Sequence, residues 1–176
     1  MATLRPFTTD DLFRFSHVNL DVEFTETYGM NFYLKYLATW PRLVVAVDSP
    51  GGRLFAYLLG KVEGVDRLWH GHVTALTVAP EFRRLGTARA LMGHLDEYSA
   101  KANCYFVDLF VRVSNSAAVW FYHKLGYSVY REIEDYYSGL HPENAFDMRK
   151  ALPRDELHAS IVPIPYVVGV DDLEFS

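Results

Sequence analysis

A mixed α/β fold with a largely antiparallel sheet is predicted by three features of this 176-residue chain. Short β-branched runs alternate with stretches in which apolar residues recur at spacings of three and four. The run "YFVDLFVRV" is almost continuously apolar, as a strand covered on both faces must be. A strand, helix, strand passage from Val73 to Val113 lies among hairpin-like pairs, which sets one crossover in the middle of the sheet.

Each element follows in order. Thr3 to Phe7 reads as a short edge strand, since Pro6 has no N–H to give to a ladder, and Thr8 or Thr9 can cap a helix over about Asp10 to Asn19. After the loop "DVEFTETYG", a second helix runs from about Met30 to Trp40 and stops at Pro41. "LVVAVD" and "LFAYLLGKV", separated by "SPGG", form an antiparallel hairpin. "HVTALTVA" is a further strand, and "VAPEFRRLGTARALM" then opens a helix to about Lys101, whose sheet-facing stripe is Leu85, Ala88, Leu91, Met92 and Leu95. "YFVDLFVRV" follows as a strand. A short helix, Ala117 to Leu125, ends at Gly126, a left-handed cap, and "YSVYREI" and "AFDMRK" supply the last strands. The chain then reads as a domain over 1–152 and a tail over 153–176. In "SIVPIPYVVGV" the alternate prolines forbid a helix, so the tail is an extended strap on this domain or on a neighbour.

Composition narrows the function classes. At 50% hydrophobic and 22% charged the chain is an ordinary globular one, and a domain of this length buries roughly two-thirds of its unfolded surface without staples. A net charge of −5 gives no basic field for nucleic acid or an anionic membrane. The single cysteine, Cys104, excludes an internal disulfide and fits a reducing compartment. The N-terminus lacks a signal-peptide pattern and no run of about 18 apolar residues occurs, so a cytoplasmic protein is expected. Asp10, Asp11, Asp21, Glu23 and Glu26 read as solvated faces and helix-start charges. His70 and His72, two apart on a strand, share a face and could chelate a metal, but no third ligand is evident and none is expected to be bound.

The stretch "RRLGTA" carries chemistry. A helix N-terminus presents N–H groups without partners and about half a positive charge. Gly86 lets another molecule's phosphate come close, and Arg83 and Arg84 add bidentate reach, so the turn is an anion cradle. The alternative is a punctuated loop with solvated arginines. Neither G-x-x-x-x-G-K-[ST] nor G-x-G-x-x-G is present, which argues against nucleotide hydrolysis and dinucleotide redox chemistry.

Arg83-Arg84-Leu85-Gly86-Thr87-Ala88, placed after "TALTVAP", resembles the R/Q-x-x-G-x-G/A signature of the GNAT acetyltransferase superfamily, and "SNSAAVWFYHKLGY" resembles its second signature. The likeness continues through "TLRPFTTDDLFRF", "TETYG", "FVDLFVRVSN" and "DMRKAL", where it is similar in detail to NatB-type N-terminal acetyltransferase catalytic subunits. Ala88 stands where many members have glycine, which the signature admits.

The resemblance implies a GNAT fold and acetyl-CoA as donor. Its diphosphate would lie on Arg83, Arg84, Leu85, Gly86, Thr87 and Ala88, and its pantetheine arm would pair with Leu76, Thr77 and Val78 as an added strand. Asn115 would bond the donor or the peptide backbone, or serve only as a helix cap. Tyr122 would protonate the leaving thiolate; the other possibility is that Trp120, Phe121 and Tyr122 are aromatic packing. An α-amine has a pKa of about 7.7–8.0, so freeing it near neutrality costs roughly 1 kcal/mol and a weak base suffices. His72, or a water it orders, is the candidate acceptor.

The implied substrates are N-termini beginning Met-Asp, Met-Glu, Met-Asn or Met-Gln. His72, Thr74, Tyr136 and Tyr137 would satisfy an acid or an amide alike, and Glu26 and Tyr28 would frame the methionine end. Another amine specificity, or a non-catalytic acyl-CoA-binding module, stays open beside this reading. In "MNFYLKYLATW", Phe32 and Tyr36 form one stripe and Tyr33, Leu37 and Trp40 another, more than one sheet face would cover. Either a partner or the chain's own tail would cover the surplus. The resemblance implies a large helical-repeat auxiliary subunit, which would bring the chain to nascent polypeptides at the ribosome.

Overall fold

A computed structural model describes residues 2–19 and 25–173. Among them are seven strands, β1 Thr3–Pro6, β2 Val44–Asp48, β3 Leu54–Glu63, β4 His70–Val78, β5 Phe106–Arg112, β6 Ser128–Tyr137 and β7 Glu143–Ala151, and three α-helices, α1 Met30–Thr39, α2 Thr87–Lys101 and α3 Ser116–Lys124. The strand order is β1-β2-β3-β4-β5-β7-β6. The pairs β1–β2, β2–β3, β5–β7 and β6–β7 are antiparallel, in keeping with the predicted mixed, mostly antiparallel sheet. The chain divides into two compact units, Met1–Lys61 with Val73–Tyr98, and Val62–His72 with Ser99–Ser176. No helix among the described residues is long and apolar enough to cross a membrane.

In the first unit the core is aromatic. Phe7, Phe15, Tyr33 and Tyr57 meet edge to face at centroid distances of 5.4–6.0 Å, each such pair adding about 0.5–1.5 kcal/mol beyond burial. The expected helix over Asp10 to Asn19 is two 3-10 turns instead, Thr9–Phe13 and Ser16–Asn19. The cause is Asp11, whose carboxylate accepts the Thr8 N–H at 2.8 Å and two Arg5 N–H groups at 2.7 and 2.8 Å. A carboxylate that binds the chain locally competes with the i−4 ladder, and the N–H groups of Arg14 and Val18 bond three residues back. Asp11 is thus 1% exposed, not solvated as expected; Asp10 and Glu26 are exposed, while Asp21 and Glu23 lie outside the described residues.

Helix α1 also departs from expectation. Phe32, Tyr33, Tyr36, Leu37 and Trp40 all pack on the core of this unit, so neither stripe needs the tail, and Met30 and Leu34 are the apolar residues left exposed. In α2, Leu91, Met92 and Leu95 are buried as predicted, but Leu85 is 71% exposed. Gly86, at φ +83°, breaks the register before the helix starts at Thr87, so Leu85 belongs to the turn and not to the packed stripe.

In the second unit β5 and β7 align Asp108 with Arg149 and Phe110 with Asp147. Helix α3 ends before Gly126, which has the left-handed φ of +92°. Strand β6 runs four residues beyond "YSVYREI", so Tyr136 and Tyr137 sit on a strand end. The tail is a strap on its own unit. The N–H groups of Ile164 and Val168 donate to Tyr130 and Glu132 carbonyls at 2.7 and 3.0 Å, and Glu134 N–H donates back to Val168 at 2.9 Å. Ile164, between Pro163 and Pro165, and Val168 beyond them therefore cover the open edge of β6, the last strand in the order, as an exposed edge requires.

Candidate active site

The strand-to-helix turn after β4 has the geometry of an anion seat. Arg84 and Gly86 adopt φ of +64° and +83°, and the first helical bond joins Ala90 N–H to Gly86 C=O at 3.0 Å, so the N–H groups of Thr87, Ala88 and Arg89 precede the ladder. A Cβ at Gly86 would meet nothing within 4 Å, which leaves open space over the turn. Alternating backbone conformations of this kind form a concavity of N–H groups that suits a phosphate, so these residues fit a diphosphate. Exposed Arg83 reaches back along the turn: its Nε–H donates to Val78 O at 3.1 Å, tying the turn to the end of β4. In β4, Leu76 and Val78 are half-buried and Thr77 is buried.

Within the second unit, β4 begins two residues earlier than predicted and takes in His70. A connected group of ionisable side chains surrounds it. His72 Nδ1 lies 2.7 Å from Asp108 Oδ1, and His70 Nδ1 lies 2.6 Å from Leu68 O. His70 Nε2 stands 3.6 Å from Asp108 Oδ1 and 3.8 Å from Glu63 Oε1. Glu63, His70 and His72 bring ligand atoms within 4.8 Å of one another, so a third candidate ligand does stand beside the two histidines. Burial pushes the His70 pKa below its ordinary value despite Asp108, which keeps that ring neutral. Burial alone would raise the Asp108 carboxyl, but His72 and His70 outweigh it and hold Asp108 below the usual range. Deeper in the same unit, burial and the neighbouring Asp108 push Asp147 up to about 6, against the pull of Arg149 and Arg131.

Asn115 caps the start of α3, and Tyr122 lies in its last turn. Asn115 Oδ1 accepts Ala118 N–H at 3.1 Å, so the cap role is realised, and its amide donors have no partner among the described residues. Tyr122 is 9% exposed, and no described residue hydrogen-bonds its hydroxyl. Burial raises its pKa, so the phenol keeps its proton across the neutral range. Phe121 and Tyr127 flank its ring at 5.2 and 6.0 Å, while Trp120 faces solvent.

The residues predicted to meet the peptide divide between the units. In the first, Tyr28 stacks on Phe32 at 4.2 Å and its O–H reaches Thr74 O at 3.4 Å. Thr74 Oγ1 is bonded to Tyr36 at 2.6 Å, so Tyr36, which the sequence did not mark as a site residue, sets the orientation of the Thr74 hydroxyl. Glu26 is exposed beside them in sequence. In the second, Tyr137 O–H donates to Phe110 O at 3.2 Å under the Arg112 guanidinium, and Tyr136 packs edge-on against Phe110. His72 also meets Phe110, at 5.4 Å. Asp108 and Phe110 escaped sequence reading because "FVDLFVRV" presents them as one apolar run, with a lone acid as the only signal.

The turn after β4 suits a phosphate group, and α3 of the other unit separately carries a buried, protonated phenol; both are features that a transferase with a phosphate-bearing donor would use. A family model described as the acetyltransferase (GNAT) family matches residues 10–127, and the chain belongs to that family. It is 49% identical over 99% of both chains to the "N-terminal acetyltransferase B complex catalytic subunit NAA20" of Arabidopsis thaliana. It is 52% identical, again over 99% of both, to "N-alpha-acetyltransferase 20" of Dictyostelium discoideum. Among solved structures, Chaetomium thermophilum Naa20 in complex with a bisubstrate analogue matches with a TM-score of 0.89 at 39% identity, over 96% of this chain and 97% of that one.

Proposed function

We propose that this chain is the catalytic subunit of a NatB-type acetyltransferase, moving acetyl from acetyl-CoA to the α-amino group of proteins that begin Met-Asp, Met-Glu, Met-Asn or Met-Gln. The observation that carries this is end-to-end similarity at 49% and 52% identity to two N-terminal acetyltransferases. The turn from Arg83 to Ala88 holds the donor's diphosphate, and the backbone of Leu76, Thr77 and Val78 holds its pantetheine arm. The amine nitrogen attacks the thioester carbonyl, the C–S bond breaks, and His72 or a water it orders takes the amine's proton. Tyr122, kept protonated by burial, gives its proton to the departing thiolate and regains one from solvent. Holding the amine against the thioester supplies most of the rate, since effective molarities are worth about 7–11 kcal/mol. The Asn115 amide, its oxygen committed to the cap, donates to donor or peptide backbone.

His72, Thr74, Tyr136 and Tyr137 read the second residue, and Glu26 and Tyr28 frame the first. A cleft of about 370 Å³ lined by Leu12, Phe15, Tyr28, Met30 and Tyr33 offers an apolar seat for methionine. The catalytic domain is 1–152, and the tail 153–176 straps it. A large helical-repeat auxiliary subunit joins the chain, with the exposed Met30 and Leu34 of α1 available to it, and acts in the cytoplasm near the ribosome. Steady-state kinetics on Met-Asp, Met-Ala and Ser-Glu peptides, with and without that subunit, tests this. Preference for Met-Asp is expected; preference for Ser or Ala first residues overturns the specificity.

A further inference from the structure

Asp108 is fully buried in β5, and its Oδ2 has no hydrogen-bond partner among the described residues. An ionised carboxylate in such a place is costly, and apolar replacements of similar volume are often neutral or better for stability. What it touches is specific. Leu68 O can only accept, so neutral His70 carries its proton on Nδ1, and its Nε2, 3.6 Å from Asp108, has no hydrogen to offer. Arg149, aligned with Asp108 across the β5–β7 ladder, donates to Asp147 at 3.1 and 3.3 Å and to Ser160 O at 3.5 Å. The hydrogen bond to Asp108 therefore comes from one donor, His72 Nδ1–H at 2.7 Å.

We propose that Asp108 is the positioning residue for His72, locking the imidazole in the tautomer with Nδ1 protonated and Nε2 bare. It rests on the role given to His72 above and deepens it. The His72 side chain is 12% exposed, so the ring reaches the surface from a buried anchor. A carboxylate can only accept, so it excludes the opposite tautomer, whose Nε2–H could neither take the amine's proton nor accept from an ordered water. The other charged or titratable groups around the ring are His70 on the same strand and Glu63 on β3. Phe110 meets the ring with an apolar edge at 5.4 Å, and among the described residues Asp108 is the acceptor found at Nδ1.

The test uses the full-length chain. In the wild-type protein, ¹⁵N imidazole shifts of His72 at pH 8 are expected to show a protonated Nδ1 and a bare Nε2; this needs no folded variant. Asp108→Asn keeps the shape but lets the amide turn its NH₂ toward Nδ1. It is expected to bring in the Nε2–H tautomer and to lower kcat about 10²-fold, the lower end of what a general base contributes, with KM for acetyl-CoA unchanged. In the His72→Ala background, Asp108→Asn is expected to add no further loss. A wild-type Nε2–H tautomer, an unchanged tautomer in Asp108→Asn, or a full extra loss in the double variant overturns the proposal. If His72→Ala retains wild-type turnover, the proton-acceptor role falls, while the tautomer measurement still decides what Asp108 does.

Discussion

Gly71, between the two histidines of β4, has no room for a methyl group. A Cβ built there lands on Ser99 Oγ well inside contact, 2.9 Å from Ser99 Cβ and 3.3 Å from Val107 Cγ2, and both neighbours are fully buried. Overpacking a core typically costs about 1–3 kcal/mol, and with two atoms inside contact the upper end applies, so Gly71→Ala should cost about 3 kcal/mol. For a chain of this size that corresponds to a fall of about 6–12 °C in Tm. Ser99 Oγ is itself buried without a hydrogen-bond partner in α2. Ser99→Ala alone should therefore be neutral or stabilising by about 1 kcal/mol, since it removes an unsatisfied hydroxyl and adds helix propensity. In the double variant the worst contact is gone and the approaches to residue 99 Cβ and to Val107 Cγ2 remain, so about 1–2 kcal/mol of the loss should return, the usual size of coupling between touching residues. Thermal and denaturant unfolding of the four proteins measures this. A Gly71→Ala midpoint within about 1 °C of the parent, or strictly additive variants, would refute the packing account.

Three further outcomes are expected. Tyr122→Phe should lower kcat by about 10²–10³ with KM for acetyl-CoA unchanged, and the wild-type profile should show no alkaline limb from this phenol below about pH 10, the ordinary tyrosine value; equal kcat in steady-state assays would remove Tyr122 from the chemistry. Gly86→Ala meets open space, so its cost is the left-handed backbone alone, about 1–2 kcal/mol; KM for acetyl-CoA should rise about tenfold, and an unchanged value would show that the turn does not hold the donor. Asp147 titrates at about 6 when folded against 3.8 in the unfolded chain, so between those values the folded state holds the extra proton. Its contribution to stability therefore falls as pH rises from about 4 to 6 and is level above, while neutral His70 acts oppositely, losing stability as pH falls below 6.5. A ¹³C carboxyl titration placing Asp147 below pH 4 would contradict this.

Local pattern made most elements legible. Residues 87–101 are helical because apolar residues recur on one face, and "YFVDLFVRV" is a strand because its apolar residues run nearly unbroken. The anion-seat turn was legible for the same reason: Gly86 and the helix start lie within a few residues. What failed were features settled by a side-chain hydrogen bond or a backbone turn that apolar periodicity does not mark. Asp10 to Asn19 lacks a continuous helix because Asp11 is claimed by Arg5, and Arg5 is shared with Asp48 on β2. Leu85 missed the packed stripe because one positive φ shifted the register.

The sequence by itself determined the order of elements, the turn proposed to receive a diphosphate, and the residue types able to move a proton, since these depend on neighbours within a helical turn or a strand repeat. Only the tertiary structure decided which groups act on which. That Asp108 meets His72 Nδ1 in a hydrogen bond, that Tyr36 holds Thr74, and that the tail closes the edge of β6 each depend on partners more than 30 residues apart. Hydrogen bonding and burial are properties of positions in space, and no local periodicity encodes them.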